Sequence, residues 1–325
     1  MMNFENRHNL KQLLNSHNLS SSGWVKLSHG GFSGAQIYKK SSQIDQSYVL
    51  KVTSAQTDWI MRTTSDHLCR EAVLANTTSI RREQVTTPVI GSAQDGSVFS
   101  ILMHDISDQL LSNERLSKAQ LNTVLLGMSD LHAMAAPDVP GITLCDIEDR
   151  LTLFEPNPEK LAQFRNAEVI LGGWEVFFKL APKDLKELVL SLFNDLDPLR
   201  RALGRLPNSF LHGDLKTDNI GISPTGKMSL IDWSMPMIAP AAIDLGWFLA
   251  MNSRALPVTL DETIKAYSDY SNIEDHLFEL HQSVTVLCGF LLRGWRKALD
   301  AQSGEPSEFR WWCERASSAS KVLAG

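Results

Sequence analysis

The sequence predicts an α+β fold in two lobes, a small antiparallel β-sheet carrying one helix and then a larger, mainly helical body. Three observations predict it. Strand-like runs cluster before residue 106, at Ile37-Tyr38-Lys39, Tyr48-Val49-Leu50-Lys51-Val52, Thr86-Thr87-Pro88-Val89-Ile90 and Ser97 to Met103, with polar or glycine turns between them. From Ser117 onward, apolar residues recur at helical spacing. Between those helical stretches a polar loop, His212 to Asn219, sits behind the apolar Phe210-Leu211 and ahead of Ile220-Gly221-Ile222. The expected division is 1–106 for the first lobe and 107–325 for the second.

Taken in order, residues 5 to 19 place Leu10, Leu13 and Leu14 at helical spacing among polar residues and predict a short surface helix. Leu27 to Lys39 gathers small residues between two strands. Its glycines let a backbone approach phosphate closely, and free amides along the turn can donate to phosphate oxygens; the stretch equally reads as a plain hairpin turn. Tyr48 to Val52 is a strand with Lys51 among apolar neighbours. Gln56 to Asp66, with Trp59, Ile60 and Met61, takes no assigned role. His67 to Leu74 is a helix-like run bearing Glu71, with Leu68, Ala72 and Ala75 on one face. Two strands separated by Gln94-Asp95-Gly96 close the lobe.

Ser117 to Met134 is an amphipathic helix built on Leu121, Val124, Leu125, Met128 and Leu131, with Pro137 as its stop. Residues 137 to 180 hold Pro137, Pro140, Pro156, Pro158 and Gly172-Gly173 and predict loops with short helices. Their aromatics, Phe154, Phe164, Trp174, Phe177 and Phe178, imply packing. One helix is expected over Leu185 to Leu203, and three more over Asp261–Tyr270, Asn272–Leu299 and Pro306–Leu323.

Composition excludes some classes. The chain has 325 residues, 43% hydrophobic and 21% charged, with a formal net charge of −6. A length of this order buries a large core, and an acidic balance argues against nucleic acid as a partner. Cys69, Cys145, Cys288 and Cys313 are scattered without paired spacing and read as reduced core residues. No basic segment followed by an apolar core opens the chain, so a cytoplasmic location is expected. The longest apolar run, Val284 to Leu292, ends at Arg293 and is far short of the roughly 20 residues a membrane span needs.

The chemistry concentrates in His212-Gly213-Asp214-Leu215-Lys216-Thr217-Asp218-Asn219. A carboxylate at Asp214 can accept the proton of a substrate hydroxyl, and the carboxamide oxygen of Asn219 can help hold a metal ion. Ser223-Pro224-Thr225-Gly226 forms a turn, and Lys227 to Ile231 a short strand that returns Asp232 to the same place. Two acids and one amide suit phosphoryl transfer, which needs metal-borne charge on the phosphate oxygens and an aligned acceptor.

His-Gly-Asp-x-x-x-x-Asn followed by Ile231-Asp232-Trp233 resembles the aminoglycoside phosphotransferase and choline kinase family, built on the protein-kinase fold. The resemblance runs from about Leu27 to about Ala250. It implies that Gly31, Ser33 and Gly34 cover the nucleotide phosphates, that Lys51 binds the α- and β-phosphates with Glu71 orienting it, and that the segment Met103, His104 and Ile106 receives the base. His29 stands where the kinase loop has its first glycine. Asp214 is then the catalytic base, and Asn219 and Asp232 the Mg²⁺ ligands, with ATP or GTP as donor. Lys216 stands where protein kinases often place a lysine that meets the transferred phosphate, Asp244 resembles the acid that braces the catalytic loop, and His132 ends its helix as a packing residue.

Only eleven residues separate Asp232 from Asp244. Protein kinases use a longer segment there as a peptide platform, so a small-molecule hydroxyl acceptor is expected, an aminoglycoside-type antibiotic or similar hydroxylated metabolite. Asp261, Glu262, Asp275 and Glu279 could meet ammonium groups, and Trp247, Trp295, Trp311 and Trp312 could cage a choline-like cation. Arg293, Arg296 and Lys297 equally suit an anion. The alternatives are an amino-alcohol kinase, a protein kinase, and a nucleotide-binding scaffold without chemistry. Oligomeric state is open.

Overall fold

The computed structural model describes residues 7–28, 33–41, 46–77, 80–111, 115–135, 137, 139, 141–162 and 164–324. The first lobe opens with α1 (His8–Ser16), which buries Leu10 and Leu14. Five strands follow in the sheet order β1-β2-β3-β6-β5: β1 (Val25–Lys26), β2 (Gln36–Ser41), β3 (Ser47–Thr53), β5 (Val89–Asp95) and β6 (Val98–His104). All their pairings are antiparallel. Asp95 ties α1 to the sheet, its two carboxylate oxygens accepting from the Asn9 and Leu10 amides at 2.9 and 3.0 Å.

Between β3 and β5 lie α2 (Trp59–Thr63), α3 (Arg70–Leu74) and β4 (Val85–Thr86). The expected helix from His67 is shorter than its apolar pattern suggested. Cys69 sits at φ +55°, which breaks the run, and the Asp66 carboxylate takes the Arg70 amide at 2.9 Å instead. Leu68 is consequently exposed rather than on the buried face. The strand expected over Thr86–Ile90 divides at Pro88, which has no N–H to continue a ladder. Residues before it pair in parallel with a strand of the second lobe, and residues after it join the main sheet.

The second lobe begins with α4 (Lys118–His132), started by a capping box between Ser117 and Gln120. Three helices fill the proline-rich stretch: α5 (Ile147–Leu151), α6 (Pro158–Leu161) and α7 (Ala167–Leu180), the last a full fourteen residues where only short pieces were expected. Its glycine pair is carried by the apolar face, since Ile170, Gly173, Trp174 and Phe177 are buried together. The helix expected over 185–203 is two, α8 (Lys183–Asn194) and α9 (Asp197–Leu203). Asp195 is extended and accepts from the Asp197 amide, and Pro198 restarts the helix in its first turn, where a missing N–H costs nothing.

Then come β7 (Asn208–Leu211), a 3-10 turn at Thr217–Asn219, β8 (Ile220–Ile222), β9 (Met228–Leu230) and β10 (Met237–Pro240). β8 and β9 form a hairpin, and β10 pairs antiparallel with β7. Four helices complete the lobe: α10 (Ala242–Asn252), α11 (Leu260–Tyr270), α12 (Asp275–Gln302) and α13 (Pro306–Ala319). One large apolar core joins them to α4, α7, α8 and α9. All four cysteines are buried and free. Among the described residues no helix is long and apolar enough to cross a membrane.

Candidate active site

β7 leads out of the core directly into the polar loop, and the loop is held from beneath by one buried carboxylate. Asp244, in the first turn of α10, accepts the amides of His212 and Gly213 at 2.9 Å each and faces His132 Nε2 at 3.3 Å. Burial alone would raise its pKa, but His132 and the His212 amide hold it below the usual carboxylate range. Gly213 adopts φ +82°, and a Cβ there would lie 2.0 Å from the Met235 carbonyl oxygen, so the turn admits only glycine. His212 is neutral, since burial pushes its pKa down against the nearby aspartates. Its Nδ1 accepts the Asp214 amide at 3.1 Å, which leaves Nε2 as the protonated nitrogen donating to the Ile231 carbonyl at 3.0 Å.

These bonds fix Asp214. Its Oδ1 accepts from the Trp247 indole at 2.8 Å, and its Oδ2 from Lys216 Nζ at 2.8 Å and Asn219 Nδ2 at 2.9 Å. Asn219 Nδ2 also donates to the Asp214 carbonyl, so the Asn219 Oδ1 points the other way, and among the described residues no protein donor takes it. Asp232, carried in after β9, stands at φ +65°, a strained conformation of the kind that recurs at functional sites.

Across the cleft, Lys51 Nζ lies 2.6 Å from Glu71 Oε2 and 2.6 Å from Asp232 Oδ1. Burial opposes every charge in this trio. The two carboxylates outweigh it at Lys51, whose pKa is raised, and Lys51 and Lys216 hold Asp232 down to about 2. Burial wins at Glu71, whose pKa is raised. A cavity of about 330 Å³ opens between the lobes, with Lys51, Glu71, Asn219 and Asp232 at its polar end and Leu27, Val49, Met103, Leu110 and Ile231 along its apolar wall.

Of the residues expected at the site, Ser33, Lys51, Glu71, Met103, His104, Ile106, Asn219 and Asp232 all line this cavity. Gly34, between the lining residues Ser33 and Ala35, is not itself part of the lining; it has φ +95°, and a Cβ there would meet the Thr57 carbonyl oxygen at 2.1 Å. Gly31 lies outside the described residues. At the base end, the His104 and Asp105 amides are already given to the Pro88 and Ser47 carbonyls. Among the described residues the Ile106 amide has no such partner.

A family model described as the phosphotransferase enzyme family, APH, matches residues 29–276. The chain belongs to that family. It is therefore a phosphotransferase enzyme, a small-molecule kinase. Among solved structures this phosphotransferase is similar to the ethanolamine kinase of Plasmodium vivax, at 14% identity and TM-score 0.55, covering 96% of this chain and 86% of that one. It is similar also to a thermostable mutant of aminoglycoside phosphotransferase APH(4)-Ia in a ternary complex with AMP-PNP and hygromycin B, at 15% identity and TM-score 0.52, over 98% and 99% of the two chains. At such identity these show the fold, the two-lobed kinase-like one. No protein of curated function matches the chain in sequence.

In this phosphotransferase the acceptor candidates fare unevenly. Asp261 is engaged by Arg315 at 2.7 Å, and Glu262 caps α11 through Thr259. Trp311 and Trp312 pair edge to face on α13, with Trp312 wholly buried. Trp247 and Trp295 do come together, bridged by Phe154, which stacks on Trp247 at 5.8 Å. Their faces carry the guanidinium groups of Arg150 and Arg293. Arg150 and the contact of Trp247 with Asp214 were not foreseen from the sequence. The sequence offered no clear signal for Arg150, which stands in the short, mostly charged helix Ile147–Leu151.

The unassigned stretch 56–66 also has a place. The Trp59 amide donates to the Ser33 carbonyl at 2.9 Å, and its ring packs on Phe164 at 4.3 Å and Phe154 at 6.2 Å. α2 thus ties Ser33 to the helical lobe.

Proposed function

We propose that this phosphotransferase moves the γ-phosphoryl group of ATP, or of GTP, to a hydroxyl of a small molecule, with Asp214 as the base. The observation that carries the reading is the convergence of Lys51, Glu71, Asn219 and Asp232 on one cleft whose floor residue, Asn219, is bonded to Asp214. The Lys51 ammonium meets the α- and β-phosphates, and Glu71 keeps it aimed there. The Ile106 amide receives the base, between the apolar side chains of Val49, Met103 and Ile231.

Mg²⁺ fits the residues present. Asp232 is ionised, with Oδ2 beyond the Lys51 contact, and Asn219 turns an unclaimed carboxamide oxygen away from Asp214. Two protein oxygens are what such an ion asks for when phosphates supply the rest. When bound, it neutralises charge developing on the phosphate oxygens. Asp214 then needs only to orient the acceptor hydroxyl and take its proton as the oxygen meets phosphorus, and its three donors hold it in one rotamer for that step. The eleven residues between Asp232 and Asp244 include the buried Trp233 and β10, which pairs with β7, and this supports a small acceptor over a peptide.

The test is ADP release from Mg-ATP against aminoglycosides, amino alcohols, neutral sugars, hydroxy acids and sugar phosphates. Asp214→Asn serves as control, with about 10²-fold or greater loss expected of a general base. Turnover unchanged in that variant would overturn the assignment and leave a nucleotide-binding scaffold as the better reading.

A further inference from the structure

The residues beside Asp214 and outside the nucleotide cavity carry a charge imbalance. Arg150, from α5, is fully buried; its Nε donates to the Gly213 carbonyl at 2.7 Å and its guanidinium carbon lies 4.4 Å from the Trp247 ring centre. Its two terminal nitrogens, Nη1 and Nη2, are buried and meet no acceptor among the described residues. Arg293, from α12, lies 4.8 Å from the Trp295 ring centre and 5.9 Å from that of Trp247, and its buried Nε likewise has no partner among the described residues. Burial, with Arg296 nearby, pulls the Arg293 pKa down to about 10, a further sign of a cation short of neutralising charge.

The carboxylates around them are occupied. Asp214 is held by Lys216, Trp247 and Asn219. Asp244 serves the loop amides and His132. Asp300 pairs with Arg254 and Arg296, and Glu308 with Lys297. Among the described residues neither Arg150 nor Arg293 has an ion-pair partner within 4.0 Å; Asp214 and Asp244 act on Arg150 only at longer range. A guanidinium desolvated without an anion is costly, and its fork of donors matches a carboxylate or phosphate. The same cations lie over the indole faces that would have to cage a choline-like ligand.

We propose that the acceptor is an anion, a hydroxylated carboxylate or phosphate ester whose oxyanion binds the Arg150 and Arg293 guanidinium groups while its hydroxyl reaches Asp214. This rests on the reading of Asp214 as the base. The acceptor oxygen forms its bond to the γ-phosphorus as the bond from that phosphorus to the β,γ-bridging oxygen breaks, the hydroxyl proton passes to Asp214, and ADP leaves. Phe154, Trp247 and Trp295 cover the carbon skeleton.

Sodium malonate and sodium sulfate, titrated calorimetrically into the full chain saturated with Mg-AMP-PNP, test the site without turnover. Saturable binding is expected in the wild type, weakened at least tenfold in Arg293→Gln and retained in Asp214→Asn. Because Arg150 is wholly buried, Arg150→Lys, which keeps the charge but not the fork, is the second variant, with several-fold weakening expected and circular dichroism as the check on its fold. No saturable binding, or equal binding in wild type and Arg293→Gln, overturns the proposal.

In the turnover panel, hydroxy acids separate a carboxylate acceptor from the sugar phosphates. Asp214-dependent turnover confined to amino alcohols or aminoglycosides overturns the anion while leaving the kinase reading intact. Malonate binding with turnover indifferent to Asp214→Asn keeps the anion site and removes the base.

Discussion

Replacing Lys51 by methionine separates what the cleft needs for stability from what it needs for nucleotide. The Lys51 side chain is 9% exposed, and its ammonium lies 2.6 Å from both Glu71, 3% exposed, and Asp232, 28% exposed. Removing one partner of a buried ion pair costs about 3–5 kcal/mol, because the remaining charge stays desolvated. Most of that cost belongs to Glu71, since the more exposed Asp232 is partly relieved by water and by Lys216. Glu71 is also the group whose pKa burial raises, so it can shed part of the cost by taking a proton, and a loss near 3 kcal/mol is expected. Urea melts should show it as a lower midpoint with unchanged slope. Adding Glu71→Gln removes the orphaned charge and should restore most of the lost stability. Nucleotide affinity, followed by fluorescence of a labelled ATP analogue, should stay lost in the double variant, because no cation returns to the phosphates. If Lys51→Met melts like the wild type, or if Glu71→Gln deepens the loss, the account of this trio is wrong.

Trp247→Phe keeps the stack on Phe154 but deletes the one donor to Asp214 Oδ1 found among the described residues. A hydrogen bond to a charged group is worth about 1.5–3 kcal/mol, so kcat should drop roughly 10- to 100-fold while the KM for ATP holds, and equal loss in both would place Trp247 in the wrong role. Gly34→Ala sets a Cβ against the Thr57 carbonyl at positive φ. Strain of about 1–2 kcal/mol plus the clash should weaken ATP at least tenfold, with little change in far-ultraviolet circular dichroism; unchanged affinity would count against the loop geometry.

Stability should also follow pH through His281, whose pKa burial, with His132 nearby, pushes down to about 4. The unfolded chain binds this proton near pH 6.5 and the folded chain only near 4, so stability is full above 6.5 and falls as pH drops toward 4, by up to about 3 kcal/mol. His281→Leu should flatten the melting profile over that window, and an unaltered slope would exclude His281 as its source.

How much of this was legible follows from where the chemistry sits in the chain. Asp214, Asn219 and Asp232 could be read because they share one loop and the hairpin after it, so local spacing fixes their geometry. Lys51 and Glu71 could be read as a strand lysine and a helix glutamate in order, although the helix is one turn long and Cys69, not a capping residue, begins it. The division at Pro88 and the break at Asp195 were within reach of proline rules, since each marks a place where an N–H is missing or unneeded. α7 was obscured by Gly172-Gly173, because glycine lowers helix propensity locally while the burial of Trp174 and Phe177 decides the outcome.

The surroundings of Asp214 on the other side were legible only as separate candidates, Trp247, Trp295 and Arg293 among them, and their juxtaposition with Arg150 was not, for a physical reason. In a kinase-like chain with only eleven residues between Asp232 and Asp244, the segment that could have formed a platform contains β10, whose partners are the β7 residues leading into the polar loop. The side chains gathered on that side of Asp214 come from elements remote in sequence: Arg150 from α5, Phe154 just beyond it, Trp247 from α10, and Arg293 and Trp295 from α12. No spacing rule links residues separated by a hundred positions, so a list of tryptophans read as a cage until their faces were seen to be covered by guanidinium groups. The same geometry orders the candidates. A second cation about 5 Å from one of those guanidinium groups would meet repulsion of roughly 3 kcal/mol at an effective dielectric constant near 20, and an anion would gain as much. That difference of sign, amounting to several powers of ten in relative affinity, is larger than anything shape alone would contribute, so charge is the property by which this site should select its acceptor.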